Sequence, residues 1–455
     1  MHAISQVARL VKGTDVNRSI FRAATLVGAA GIVVKIVATL KEVVVAGVYG
    51  RSDAMDAFLA AALIPGLLIN LVSESMNQAL VPTLIRVREQ EGHDRAQQLL
   101  SSSLLWMCLL LAAASVAMAL TARVFFPLIA SQFPEEKLEL SIRIFYALLP
   151  IVLISGIATN CTAVLNTFER FAFPALAPVA ISVAIILGAL ALGDRFGVWA
   201  MVYSMLAGSL AHAVLVAIMM ASHGYRFRLH WYGMTEAVRE VGGQYGPVLL
   251  SGVVASGGLL ADQSMAAMLP SGSVSALVYA NRFVSVVITL LAGAVSTAVV
   301  PYFSRMVAHR DWPGCRRAVR TWVRLLALVS VPIAVLLITS AHLLIRMTFE
   351  HCAFRQEDTA IVAPALAMYA IQIPFLVCSR VYYRLIVAMR RTDLILYCGA
   401  INFALDVVLN LILMRWYGVA GIALATSLWT VSTFFFLGYW SRRLLLDASK
   451  GEAGA

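Results

Sequence analysis

The chain has 455 residues, 61% of them hydrophobic and only 13% charged, with a net charge of +11. A soluble domain carries roughly 45–50% apolar and 25% charged residues, so this balance excludes an ordinary soluble protein. Apolar runs of ~20 residues, the length that crosses ~30 Å of hydrocarbon, recur along the sequence without the two-residue alternation of barrel strands. The expected fold class is therefore an all-α polytopic membrane protein.

Twelve spans are expected, near 25–48, 54–82, 99–129, 141–166, 174–193, 198–222, 245–269, 274–304, 321–347, 360–388, 394–414 and 418–440. The first twenty residues are basic, and the run that follows is too long for a signal-peptide core, so it is expected to remain as the first helix. That first span holds Lys35, Lys41 and Glu42; the second opens with Asp56 and carries Glu74 deep inside. Each charge at mid-bilayer costs at least ~2.5–3.5 kcal/mol. Five of them in two spans imply a water-filled interior, which points to a transporter. The alternatives are that Lys41 pairs with Glu42 or snorkels, and that Asp56 caps its own helix.

Further along, span seven contains Asp262, span ten Arg380 and Arg384, and span twelve Thr426. Span eleven contains Asn402, Asp406 and Asn410, at a spacing that stacks all three on one helical face. Their oxygens suit a hard cation, or equally hydrogen bonds between helices. Two acids buried together repel unless a cation or proton joins them.

The basic residues are spread over alternate short loops, among them Arg86, Arg88, Arg95, Arg170, Arg226, Arg228, Arg310, Arg316, Arg317, Arg390, Arg391, Arg442 and Arg443. This is the positive-inside pattern, so both termini are expected in the cytoplasm, and no nucleic-acid partner is read from the charge. The six cysteines are scattered with no CxxC, so neither a disulfide framework nor a zinc site is expected. No P-loop and no nucleophile with a base is evident, so no catalysis is expected.

An internal repeat is also visible. Ala79-Leu80-Val81-Pro82 with Arg86 matches Ala298-Val299-Val300-Pro301 with Arg305, at an offset of 219. Arg195-Phe196-Gly197-Val198 matches Trp416-Tyr417-Gly418-Val419 at 221. Six spans per half give lobes of one orientation, related by an axis along the membrane normal. The expected organisation is a cytoplasmic segment 1–24, an N-lobe 25–222, a linker 223–242 (partly an interfacial helix), a C-lobe 243–441 and a tail 442–455.

Several stretches together resemble the MurJ/MviN family of lipid II flippases. They are Met55-Asp56-Ala57-Phe58, Asn77-Gln78-Ala79-Leu80-Val81-Pro82, Leu165-Asn166-Thr167-Phe168-Glu169-Arg170-Phe171, Pro174-Ala175-Leu176-Ala177-Pro178, Gly272-Ser273-Val274-Ser275 and Tyr279-Ala280-Asn281-Arg282. The resemblance implies the fold of the multidrug/oligosaccharidyl-lipid/polysaccharide exporter superfamily. It further implies a monomer in the bacterial inner membrane that moves a polyprenyl-diphosphate-linked saccharide to the outer leaflet by alternating access, driven by membrane potential or an ion gradient.

By the same resemblance Lys35, Lys41 and Arg282 contact the diphosphate. As acids beside these cations, Glu42, Asp56 and Glu74 are expected to be gate or ion-pair partners, Glu42 standing where the family has an aspartate. Asp262, Asn402, Asp406 and Thr426, with the Ile422 carbonyl, hold a sodium ion or a proton. Two departures stand out. Lysines replace two first-helix arginines, and Pro65-Gly66-Leu67-Leu68 is followed by Ile69-Asn70 where the family has an arginine. Many members also have two helices beyond the twelve expected here. The alternatives weighed are an exporter of exopolysaccharide or O-antigen units, a cation-coupled drug antiporter and a membrane-embedded glycosyltransferase.

Overall fold

The computed structural model describes residues 15–167, 172–389 and 391–453, which are helical nearly throughout and contain no strand. The helices are α1 (Asp15–Tyr49), α2 (Asp53–Gln90), α3 (His93–Ile129), α4 (Glu135–Asn166), the short α5 (Ala172–Leu176), α6 (Val179–Phe196) and α7 (Val198–Ser222). After an extended connection come α8 (Glu236–Ala266), α9 (Ser273–Ala308), α10 (Trp312–Phe349), α11 (Gln356–Ala370), α12 (Gln372–Ala388), α13 (Thr392–Tyr417) and α14 (Val419–Ala453). Among the described residues, ten segments are long and apolar enough to cross a membrane. They coincide with ten of the expected spans. The other two, at 25–48 and 245–269, fall on α1 and α8, which include side chains outside those described.

Local chemistry sets the helix boundaries. Ser52 accepts from the Met55 amide at 3.3 Å and so caps α2. Asp311 accepts from the Gly314 amide at 2.8 Å, with proline in the first turn of α10. Span ten is broken into α11 and α12 at Ile371. Pro374 explains the break: it has no N–H to give, and its ring clashes with the carbonyl of Ala370 four residues earlier.

The α6–α7 and α13–α14 junctions turn on Gly197 (φ 53°, ψ −136°) and Gly418 (φ 56°, ψ −129°). These are the two glycines of the internal repeat. They adopt one unusual conformation, open to glycine because it has no Cβ. The other arm of the repeat, at residues 298–301, has side chains outside those described.

The chain forms two compact units that interleave in sequence. One comprises residues up to Val44, Ala61–Phe125 and Glu139–Val253; the other comprises Val45–Ala60, Phe126–Leu138 and Val254–Ala455. The first has a core of Met76, Leu80, Leu84, Leu100, Met107, Leu111 and Val164, closed by the fully buried Tyr225. In the second, Tyr279, Phe283, Phe349 and Phe354 pack ring against ring at 5.4–6.1 Å. Large apolar side chains also face outward. Val116, Leu120, Val124 and Leu128 line one stripe of α3 at four-residue intervals. Such a stripe is costly in water and matched by lipid tails.

Candidate functional site

The second unit contains a buried polar cluster on α8, α13 and α14. Asn410 donates through Nδ2 to Asp262 Oδ1 at 2.8 Å and to Asp406 Oδ1 at 3.2 Å, so one amide bridges two carboxylates. The Thr426 hydroxyl lies 3.1 Å from both Asp262 Oδ2 and the Ile422 carbonyl and can donate to one of them at a time. Asp406 Oδ2 and Asn410 Oδ1 are both buried with no hydrogen-bond partner. A Cβ at Gly258 would stand 3.5 Å from Asp406 Oδ2, an ordinary van der Waals contact, so the α8 backbone passes close to that oxygen.

Asp262 and Thr426 border a cavity of about 280 Å³, with Gln263, Asn281, Tyr369 and Gln372. The α11–α12 break sets Tyr369 and Gln372 on its wall. Two buried carboxylates bridged by a neutral amide repel each other unless a positive charge joins them. The two partnerless oxygens are acceptors of the kind that a proton on the Asp406 carboxylate or a hard cation would satisfy. Among the described residues no group of three or more His, Cys, Asp or Glu side chains is placed to hold a metal ion. A site with only two acids suits a singly charged species.

Of the four residues expected at this site, the structure brings together Asp262, Asp406 and Thr426. Asn402 points elsewhere: its Nδ2 donates to Thr433 Oγ1 at 2.7 Å and lies 3.4 Å from Cys398 Sγ. Asn410, two turns further along the same face, takes the bridging place.

A second polar cluster surrounds the N-terminus of α9. Asp56, only 1% exposed, accepts from the Gly272 amide at 2.7 Å and the Ser275 amide at 2.9 Å. It therefore caps α9 from outside rather than its own helix, where Ser52 does that work. A carboxylate at a helix N-terminus also meets the positive end of the helix dipole. Lys137, itself 7% exposed, bridges Asp56 at 3.0 Å and Asp53 at 2.7 Å, over the Phe133 ring.

Arg51 donates to the Gly272 carbonyl at 2.9 Å and to Asp358 at 3.1 Å. The Ala353 amide donates to the Gly47 carbonyl at 2.9 Å, and Tyr279 donates to the Gly50 carbonyl at 3.1 Å. These bonds explain why residues 45–60 and 126–138 belong to the second unit. Nothing in the sequence marks the pairs Lys137–Asp56 and Arg51–Asp358, because the partners lie 81 and 307 residues apart.

Lys41 lies 2.8 Å from Glu42, which is buried, so this cation is ion-paired. Lys35 is half-buried one turn before Thr39, whose hydroxyl donates to the Lys35 carbonyl at 2.8 Å. Arg282 is half-buried on α9. Glu74 lies on α2 with its side chain outside those described. Asn70, where the family pattern has arginine, is exposed on the same helix. The pair Arg86–Glu240 ties the end of α2 to the second turn of α8.

Solved structures share this fold. A lipid II flippase MurJ in an inward closed conformation superposes with a TM-score of 0.79 at 23% identity, covering 93% of this chain and 90% of that one. An inward-facing multidrug resistance MATE family transporter of the MOP superfamily gives 0.78 at 14% identity, covering 94% and 99%. In sequence, the probable lipid II flippase MurJ of Synechocystis sp. is 24% identical over 437 residues, 92% of this chain and 82% of the relative. The lipid II flippase MurJ of Burkholderia cenocepacia is 27% identical over 371 residues, 78% and 70%. The family model for lipid II flippase MurJ matches residues 45–452, so nearly the whole of this chain, both polar clusters included, belongs to the MurJ family.

Proposed function

We infer that the protein is a membrane transporter, not an enzyme, that carries a polyprenyl-diphosphate-linked saccharide of the lipid II type across the bacterial inner membrane. The observation that carries this reading is the family match over residues 45–452. The excess of arginine in alternate loops supports an orientation with both termini in the cytoplasm.

The cations proposed to meet the diphosphate are Lys35, Lys41 and Arg282. A doubly anionic group in a cavity of lowered dielectric gains from each charge-assisted hydrogen bond. Lysine offers a point charge in place of the bidentate fork of arginine. Because Lys41 already holds Glu42 at 2.8 Å, the substrate would have to compete with that carboxylate.

Transport by alternating access requires the cluster around Asp56 to open and close. We assign it the role of an outer gate, with Lys137 as its buried counter-ion. Asp262, Asp406, Thr426 and Asn410 would hold the coupling sodium ion or proton. One charge moved across 100 mV supplies ~2.3 kcal/mol, enough to bias such a cycle.

The test is complementation of a bacterium depleted of its own lipid II flippase. The wild-type chain is expected to restore growth and Arg282→Ala to fail, with membrane insertion of both checked by immunoblot. No rescue by inserted wild type would remove lipid II as the substrate. Equal rescue by both would remove Arg282 from the substrate site.

A further inference from the structure

The connection between α7 and α8 is built for contact with charged lipid. Of the linker expected at 223–242, residues 236–242 are helical and form the first turns of α8. In the structure residues 225–235 form neither helix nor strand; Gly224 (φ 86°) and Gly233 (φ 94°) bracket residues 225–232, where the His230 and Tyr232 rings lie 4.6 Å apart, side by side as alternate residues of an extended chain do. One edge is strapped to α3. The Gln97 side chain donates to the Arg226 carbonyl at 2.9 Å and accepts from the Arg226 amide at 2.8 Å, which pairs the extended backbone as a neighbouring strand would. The Tyr232 amide donates to Ser102 Oγ at 3.3 Å, and Tyr225 is buried beside the His93 ring. The Trp231 ring lies 6.0 Å from that of Trp106.

The other edge reads Arg226-Phe227-Arg228-Leu229-His230-Trp231, strict alternation of basic and apolar residues. In an extended chain successive side chains point to opposite faces, so Arg226, Arg228 and His230 share one face and Phe227, Leu229 and Trp231 the other. All six are exposed; Phe227, Leu229 and Trp231 are 45%, 51% and 38% accessible. From 224 to 234 there is no acidic residue. The strap begins two residues after α7, a membrane-spanning helix, so it starts at the level of the lipid head groups. Water alone would leave the apolar face unmatched, and a neutral surface would leave the basic face without counter-charge.

We propose that residues 226–231 form an interfacial strand that inserts Phe227, Leu229 and Trp231 among acyl chains and binds anionic phospholipid head groups through Arg226 and Arg228. Each arginine near an anionic leaflet contributes about five-fold to local lipid occupancy, equivalent to ~1 kcal/mol. The strand would hold the start of α8 at a fixed depth and make that depth sensitive to leaflet charge.

The test uses the full chain in nanodiscs, on a Cys352→Ser background, with a nitroxide placed in turn at Phe227→Cys, Leu229→Cys and His230→Cys. Oxygen and a water-soluble nickel complex report immersion. In an equal mixture of phosphatidylglycerol and phosphatidylcholine, labels at 227 and 229 should favour oxygen and the label at 230 the nickel complex. In pure phosphatidylcholine, or in the variant Arg226→Gln/Arg228→Gln, immersion at 227 and 229 should fall several-fold. Uniform exposure to the nickel complex would overturn the proposal. So would immersion that is the same in both lipids. Neither readout depends on transport, so this inference can fail while the flippase reading stands.

Discussion

At the scale of single residues, the buried acids are the sharpest feature. Asp406 and Asn410 each keep one oxygen without a partner, while Asp262 has both of its oxygens bonded. Neutralising Asp406 removes the charge that calls for a cation. Asp406→Asn is therefore expected to flatten the dependence of transport on sodium or pH. Asn402→Ala should leave it unchanged, because Asn402 is bonded to Thr433 instead. Transport in vesicles under imposed gradients measures both, and a loss of ion dependence in Asn402→Ala alone would reverse the assignment. Asn410→Ala strips a shared donor from two buried carboxylates, at about 1–3 kcal/mol for each bond lost. Its thermal midpoint in detergent should fall accordingly. The acids and the i, i+4, i+8 face were legible in the sequence. Which asparagine bridges them was not, because both lie on that face and only the packing of α8 and α14 selects one.

At the scale of elements, two junctions and one cap decide how helices are held. Gly418 sits in a backbone region that other residues enter at a cost of about 1–3 kcal/mol. Gly418→Ala should destabilise by about that amount. Gly399→Ala, inside the same helix with nothing within 4 Å, should be neutral or stabilising by up to ~1 kcal/mol. Chemical unfolding of the two variants makes the comparison. The matching Gly197 shows why the repeat at offset 221 could be read: a conformation that demands glycine leaves a mark in sequence. The cap on α9 left no such mark. Asp56 reads equally well as the cap of its own helix, and only folding brings it to Gly272 and Ser275. Removing it breaks a buried ion pair and two hydrogen bonds from backbone amides, so Asp56→Ala should cost about 3–5 kcal/mol. Asp53→Ala, which removes a carboxylate whose side chain is 62% exposed, should cost less than ~1 kcal/mol. Equal losses in the two variants would mean that Asp56 is not the main partner of Lys137.

At the scale of the whole molecule, residues 45–60 and 126–138 belong with the second half of the chain, and the gate role proposed for the Asp56 cluster requires them to part from it. Asp53 Oδ1 accepts from Ser271 Oγ at 2.7 Å, so the two side chains meet and a cysteine pair at these positions probes the contact. On a Cys352→Ser background, the disulfide between Asp53→Cys and Ser271→Cys is expected to stop transport, and reduction to restore it. Undiminished transport by the oxidised protein would exclude a cycle in which this contact opens.

The membrane class, the rough limits of the ten spans found among the described residues, the Gly197 and Gly418 arm of the internal repeat and the family were all within reach of the sequence alone. They rest on local composition, helix length and short motifs, which hydrocarbon thickness and backbone hydrogen bonding constrain strongly. Only the tertiary structure decided which polar groups meet: Asp56 with Lys137 and the α9 amides, Asn410 rather than Asn402 with the two acids, and Gln97 with the strap. Such pairs join residues 81, 129, 148 and 216 positions apart. A long-range pair leaves no periodicity in a single chain. It forms because a polar group taken out of water must find a partner wherever the packing of the helices presents one.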